Sequence, residues 1–146
     1  MLRELTNSKE LQERAKNVIP HLTGTFTRSA HSFVEGVYPV YIKSAAGSHF
    51  TDVDGNKYLD YLCGIGPITL GYNYQKVNDA IIAQLKNGIL FSLPHPLEVE
   101  LSELISQTIP HAEMVKFEKT GSNVVTGAVR AARYITKKNK IAYCGS

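Results

Sequence analysis

The sequence predicts an α/β protein, and three observations carry that reading. Residues 38–62, "YPVYIKSAAGSHFTDVDGNKYLDYL", are rich in β-branched and aromatic residues and are broken by two turn signals, Gly47-Ser48 and Asp54-Gly55; this is the pattern of a small antiparallel β-meander. Apolar residues recur at three- and four-residue spacing over 75–88 and 96–109, the period of helices with one buried face. The stretch from Lys116 to Ser146 reads as a short strand, a tight Thr-Gly-Ser turn, an amphipathic helix and a second strand. A strand–helix–strand run of this length is a βαβ unit, whose two strands lie parallel in one sheet.

The elements follow in order. "SKELQERAKNVIP" predicts a first helix, with Ser8 as N-cap, Leu11, Ala15 and Val18 on one face and Pro20 as the stop. Residues 21–37 carry weak signals and read as an extended loop. "DVDGN" has the look of a calcium loop, but Gly55 precedes Asn56 instead of following a third ligand, and position twelve is Cys63 instead of Glu. A hairpin is the better reading. "CGIGPITLGYNY" holds three glycines and a proline among apolar residues and cannot form a regular helix; it is either a buried structural loop or a place where backbone comes close to a ligand. "QKVNDAIIAQLKNG" predicts a helix with Val77, Ile81 and Leu85 facing inward and Gly88 at its end. Pro94 and Pro96 suit a loop running into a helix whose apolar face is Leu97, Leu101, Leu104 and Ile105 and which Pro110 ends. The final unit predicts strands at Met114–Phe117 and Lys140–Tyr143 flanking a helix from about Ser122 to Lys137, with Val125, Ala128, Ala132 and Ile135 inward.

With 146 residues the chain is long enough for a domain with a real core. A net charge of +3 is too mild to call for a nucleic-acid partner. Arg130, Arg133, Lys137, Lys138 and Lys140 cluster late, without interleaved aromatics, and read as a solvated helix face and C-terminal end. Cys63 and Cys144 stand far apart, and no His lies at metal-ligand spacing from either, so no metal site is expected and a reducing compartment is. The N-terminal segment "MLRELTNSKELQERAK" is charged and unlike a signal peptide, and no apolar run reaches membrane-span length. The expectation is a cytoplasmic protein that binds no membrane.

The Thr120-Gly121-Ser122 turn is the point where chemistry enters. The first N–H groups of a helix lack internal acceptors, and the helix dipole makes that end partly positive. Gly121 admits close approach, and two hydroxyls stand beside it. Such a turn either caps its own helix or holds a phosphate. Neither G-x-x-x-x-G-K-[ST] nor G-x-G-x-x-G is present, so a mononucleotide P-loop and a dinucleotide fingerprint are both absent.

Four blocks, "TDVDGNKYLDYLCGIGPITLGY", "FSLPHPLEVELSELI", "HAEMVKFEKTGS" and "AVRAARYITKKNKIAYCG", taken in this order and spacing, resemble the class III pyridoxal-phosphate aminotransferases. The resemblance runs from about Gly36 onward and looks toward the glutamate-1-semialdehyde aminomutase-like branch. It implies the N-terminal portion of a type I aminotransferase fold: residues 1–70 as an N-terminal segment with a helix and the meander, and 71–146 as the beginning of a cofactor-binding large domain. It implies pyridoxal 5'-phosphate as cofactor, with its phosphate held by Thr120, Gly121 and Ser122, and an amino group moved through a Schiff base between a small donor and a small acceptor. Ile65 and Gly66 fall on the substrate side by the same resemblance. Ile65 replaces the Trp that the aminomutases proper tend to carry, which counts against glutamate-1-semialdehyde as substrate, and Asn123 stands where relatives have an acid. The family's cofactor-stacking aromatic, pyridine-nitrogen acid and Schiff-base lysine lie beyond Gly145, so no catalytic residue is assigned. Lys119 sits on the phosphate side of the turn and is no substitute. The chain would then cover roughly the first third of a family-length homodimeric enzyme and would not turn over alone; a non-catalytic phosphate-binding or interaction module derived from the family is the alternative.

Overall fold

A computed structural model describes residues 3–29, 32–34, 36–38 and 41–144. The chain forms two compact units, Met1–Ile89 and Leu90–Ser146.

The first unit is built on the meander. Strands β1 (Ile42–Ala46), β2 (His49–Asp52) and β3 (Lys57–Leu59) pair antiparallel in the order β1-β2-β3. Ala46 opposes His49 across the Gly47-Ser48 turn, and Thr51 opposes Lys57 across the second turn, both where the sequence signals them. Gly47 and Gly55 take left-handed φ of 56° and 88°, which explains why glycine stands there. Along β2 alternate residues point to opposite faces, so Phe50 and Asp52 are buried while His49 and Thr51 are half-exposed. Phe50 stacks on Tyr58 at 5.0 Å between ring centroids, and the Arg3 guanidinium lies 3.9 Å above the other ring of that pair. Asp52 is fully buried yet satisfied: its carboxylate accepts from the N–H of Asp54 and Asn56, the Asn56 amide and the Tyr58 hydroxyl. The "DVDGN" carboxylates are thus spent on backbone and side-chain donors of the protein itself.

Helix α1 (Thr6–Lys16) packs on this hairpin, and here the expected cap is wrong. Leu5 is the N-cap residue, and Ser8 lies inside the first turn, buried. The acceptor comes from 46 residues away: the Asp54 carboxylate takes hydrogen bonds from Asn7 N (2.6 Å), Ser8 N (3.0 Å) and Ser8 Oγ (2.7 Å). A carboxylate facing the free N–H groups of a first turn does the work of a local cap. The helix also ends earlier than Pro20 suggests, with Asn17 at its C-cap, so Val18 lies beyond it and is exposed; Leu5 and Ala15 are the residues that bury. Pro20 instead opens a 3-10 turn (Pro20–Leu22), followed by another at Phe26–Arg28. Helix α2 (Gln75–Leu85) closes the unit. Gly88 sits just past it with φ 99° and donates to Leu85 O. Val77, Ile81 and Leu85 line one face as expected, but each stays about half exposed because nothing in the unit covers that face.

The second unit holds α3 (Pro96–Thr108) and α4 (Gly121–Thr136). His95 caps α3, with its Nδ1 accepting from Leu97 N at 3.2 Å, and Pro96 is the first helical residue. No described residue of this unit is buried. Leu101 is 45% exposed, Val125 62% and Ile135 76%, so the inward faces read from the period exist as stripes without a partner. The expected strands at Met114–Phe117 and Lys140–Tyr143 are corrected: among the described residues neither segment is a strand, and the meander is the sheet that forms. Both segments carry strand-like residues, but a strand needs a neighbour to complete its hydrogen-bond ladder, and the two do not pair with each other.

Candidate functional site

The turn before α4 has the geometry expected of it. Thr120 is the N-cap, with extended backbone (φ −139°, ψ 158°), and its Oγ1 accepts from Asn123 N at 3.2 Å. Its carbonyl accepts from Val124 N at 3.1 Å. The N–H groups of Gly121 and Ser122 have no acceptor among the described residues, and neither does the Ser122 hydroxyl donate to any. A Cβ added at Gly121 would meet nothing within 4 Å. Two free N–H groups, a free hydroxyl, a Thr hydroxyl whose hydrogen remains available and the positive end of a 16-residue helix make a cradle for a tetrahedral anion. This donor set fits a phosphate monoester.

The first unit holds a cavity of about 500 Å³. Its wall is aromatic and aliphatic, with polar groups at Arg28, Tyr38, Tyr41, Asp60 and Tyr72, the composition of a small-molecule site. Ile65 is on that wall; Gly66, next in sequence at φ 105°, is not. The Tyr41 hydroxyl is buried with no hydrogen-bond partner among the described residues, a costly state that a polar guest would relieve. Asp60 accepts from the Tyr72 hydroxyl at 2.6 Å and from Leu62 N at 2.8 Å. Burial pushes the Asp60 carboxyl up, but these bonds, with smaller ones from Gly64 and Cys63 N–H, outweigh it and hold the group below its ordinary value. The same bond, together with burial and the Asp60 charge, pushes the Tyr72 phenol up. Burial and then the Asp60 charge push Tyr38 up as well.

The sequence-predicted residues therefore divide between units: Ile65 and Gly66 in the first, Thr120, Gly121 and Ser122 in the second. The cavity wall at Arg28, Phe33 and Tyr38 was missed, because residues 21–37 have no period to read and Tyr38 read as the start of the meander, whose first strand begins only at Ile42. One signal was available in the Tyr-Leu-Asp-Tyr of 58–61 and the Gly71-Tyr72 pair, polar aromatics on either side of a glycine-rich loop. No group of three or more His, Cys, Asp or Glu among the described residues is placed to hold a metal ion, and no described helix is long and apolar enough to cross a membrane.

The chain resembles known proteins over most of its length. The family model "Aminotransferase class-III" matches residues 32–146. The chain is 41% identical over 143 residues to 3-aminobutyryl-CoA aminotransferase of Cloacimonas acidaminovorans, covering 97% of this chain and 34% of that protein. It is 39% identical over 138 residues to glutamate-1-semialdehyde 2,1-aminomutase 2 of Lachnoclostridium phytofermentans, covering 94% and 32%. Among solved structures, the PLP internal aldimine form of the FumI protein of Sphingopyxis sp. MTA144 superposes with a TM-score of 0.86 at 32% identity, covering 96% of this chain and 34% of that one. The chain thus spans about a third of the length of the curated relatives it matches.

Proposed function

The chain belongs to the class-III aminotransferases, and on that premise we propose that it forms the phosphate cradle and part of the substrate wall of an enzyme that moves an amino group between small molecules. The cofactor of the reading is pyridoxal 5'-phosphate. When bound, it supplies the electron sink that lets an amino group leave one carbon skeleton and join another. The residues of this chain bind and orient. Gly121 and Ser122 N–H, with the Thr120 and Ser122 hydroxyls, hold the phosphate, and the α4 dipole favours its charge. Ile65 and the aromatic wall of the cavity exclude water from the donor or acceptor, and Arg28 offers a guanidinium to a carboxylate on it. Gly66, one residue beyond, is assigned to the backbone of the same substrate side. No lysine lines the cavity among the described residues, and we infer that these 146 residues bind without turning over.

Residues 1–70 serve in this reading as the N-terminal segment and 71–146 as the beginning of the cofactor domain. The bare apolar faces of α2, α3 and α4 support association of two such subunits. The observation that carries the proposal is the pair of unused N–H groups at Gly121 and Ser122. Titration of the chain with pyridoxal phosphate and with pyridoxal, followed by phosphorus NMR and calorimetry, tests it. The expected result is binding of the phosphorylated form, weakened about tenfold or more in a Thr120→Ala/Ser122→Ala double variant. Equal affinity for both vitamers would overturn it.

A further inference from the structure

Between β3 and α2 the chain makes a loop with a run of left-handed residues, two of them, Cys63 and Ile65, not glycine. Cys63 (φ 47°), Gly64 (62°), Ile65 (68°) and Gly66 (105°) all lie in the left-handed region. Glycine adopts it freely, and at Gly64 nothing else would fit, since an added Cβ would meet Ile68 Cγ1 at 2.7 Å. A β-branched isoleucine there is a true outlier. Residues held in such regions persist when their surroundings over-determine them, and they gather at functional sites. Ile65 also lines the cavity, together with Leu62, Gly64, Pro67 and Ile68 of the same loop.

What over-determines it can be read from the hydrogen bonds. The loop has its own internal closure, with Ile65 N on Leu62 O at 2.8 Å and Ile68 N on Cys63 O at 3.0 Å. Its two ends are tied to one place. Asp60 N donates to Ser48 O at 2.8 Å at the entry, and Tyr72 exchanges both backbone bonds with Gly47 at the exit. Gly71 packs so tightly on Gly47 that a Cβ would sit 3.1 Å from its carbonyl oxygen. Across these ends runs a side-chain bond, from Tyr72 Oη to Asp60 Oδ2 at 2.6 Å, while Asp60 Oδ1 takes the N–H of Leu62 where the left-handed run begins.

We propose that the Asp60–Tyr72 hydrogen bond is the staple that holds this loop in its strained shape with Ile65 on the cavity wall, making both residues positioning residues for the small molecule the cavity takes. The mechanical half stands on the geometry; the second half rests on the substrate-side reading given above. Asp60 and Tyr72 line the cavity themselves, but the staple's own part runs through Ile65: its loss lets the loop relax to ordinary φ and withdraws that side chain.

The test uses the intact chain and two variants, Tyr72→Phe and Asp60→Asn. NMR follows amide exchange from Leu62 to Ile68 and the HN–Hα coupling and Cα shift of Ile65, which report its φ directly. Pyruvate and L-alanine serve as oxo-acid and amino-acid probes. Each variant is expected to raise loop exchange about tenfold, the size of one hydrogen bond to a charged group, to move the Ile65 signature out of the left-handed range and to weaken probe binding by a similar factor. The β1–β2 amides stay protected. Should Asp60→Asn unfold the meander, Tyr72→Phe, which removes one oxygen from a half-exposed ring, decides. An unmoved Ile65 signature in Tyr72→Phe overturns the staple. A relaxed loop with probe binding unchanged overturns the positioning role. A relaxed loop in a chain that binds neither probe leaves the staple standing and sinks the substrate-side reading instead.

Discussion

The two units were read from the same kinds of pattern and differ in what surrounds the pattern. In the first, β2 puts Phe50 and Asp52 into a core that α1 and the 3-10 turn at Pro20–Leu22 complete with Leu5, Ala15 and Leu22. In the second, α3 and α4 are better helices by length, and no described residue is buried. A helix stripe is an offer to pack, and burial happens only when another element accepts it. Local structure in the second unit is therefore set by caps and propensity, and in the first by tertiary contact.

Deleting the core residue should separate the units most. Phe50, 6% exposed and stacked on Tyr58, is expected to cost about 3–5 kcal/mol when replaced by Ala. The first unit would melt in a urea titration followed at its tyrosines, while helical circular dichroism from α3 and α4 would change little. A proportional loss of both signals would show that the units are one cooperative block.

Wild-type hydrogen exchange comes next. Amides of β1 and β2 are expected to be protected at least ~100-fold more than those of α3 and α4, because exposed helices open locally at little cost. Light scattering sharpens the same contrast. Association that raises protection in α2, α3 and α4 alone would identify those stripes as the contact surface; a monomer with well-protected α4 would break the comparison.

Acid gives a smaller, signed effect. Burial pushes the Asp54 carboxyl up, but bonds from Ser8 and Asn7 hold it below its ordinary value. A group whose folded value is depressed contributes stability above the unfolded value and loses it as pH falls through the folded one. Docking of α1 should then be constant from neutral pH down to about 4 and weaken below. In Asp54→Asn that step should vanish and α1 exchange should be faster at pH 7. Persistence of the acid step in the variant would assign it elsewhere. The smallest change is expected from Thr120→Ala, which removes the α4 cap for about 1 kcal/mol; it should fray the first turn of α4 without touching the first unit.

Much of this was legible because it is local. Gly47-Ser48 and Asp54-Gly55 require left-handed backbone, so their hairpins announce themselves. The period of α2, α3 and α4 is written in side chains three and four apart, and Thr120 could be seen at a helix mouth. Other features depend on chain separation. Ser8 looked like a cap because a serine before a helical run usually is one; nothing near it reveals that Asp54, 46 residues on, provides the acceptor. Arg28 and Tyr38 line a cavity that exists only once they, with Leu22 and Phe33, come to face the Gly64–Ile68 loop. Met114–Phe117 and Lys140–Tyr143 have strand composition, yet a ladder is a property of two segments.

The sequence by itself determined the helices, the hairpin turns and the Thr120-capped turn at Thr120-Gly121-Ser122, since each depends on φ preferences, side-chain period or a free N–H within a few residues. Tertiary structure alone decided which stripes bury, where α1 finds its cap, that Asp60 reaches Tyr72 across a strained loop, and that a cavity opens beside Ile65. Those outcomes turn on which distant groups meet, because burial and buried hydrogen bonds take their energy from partners that spacing along the chain does not name.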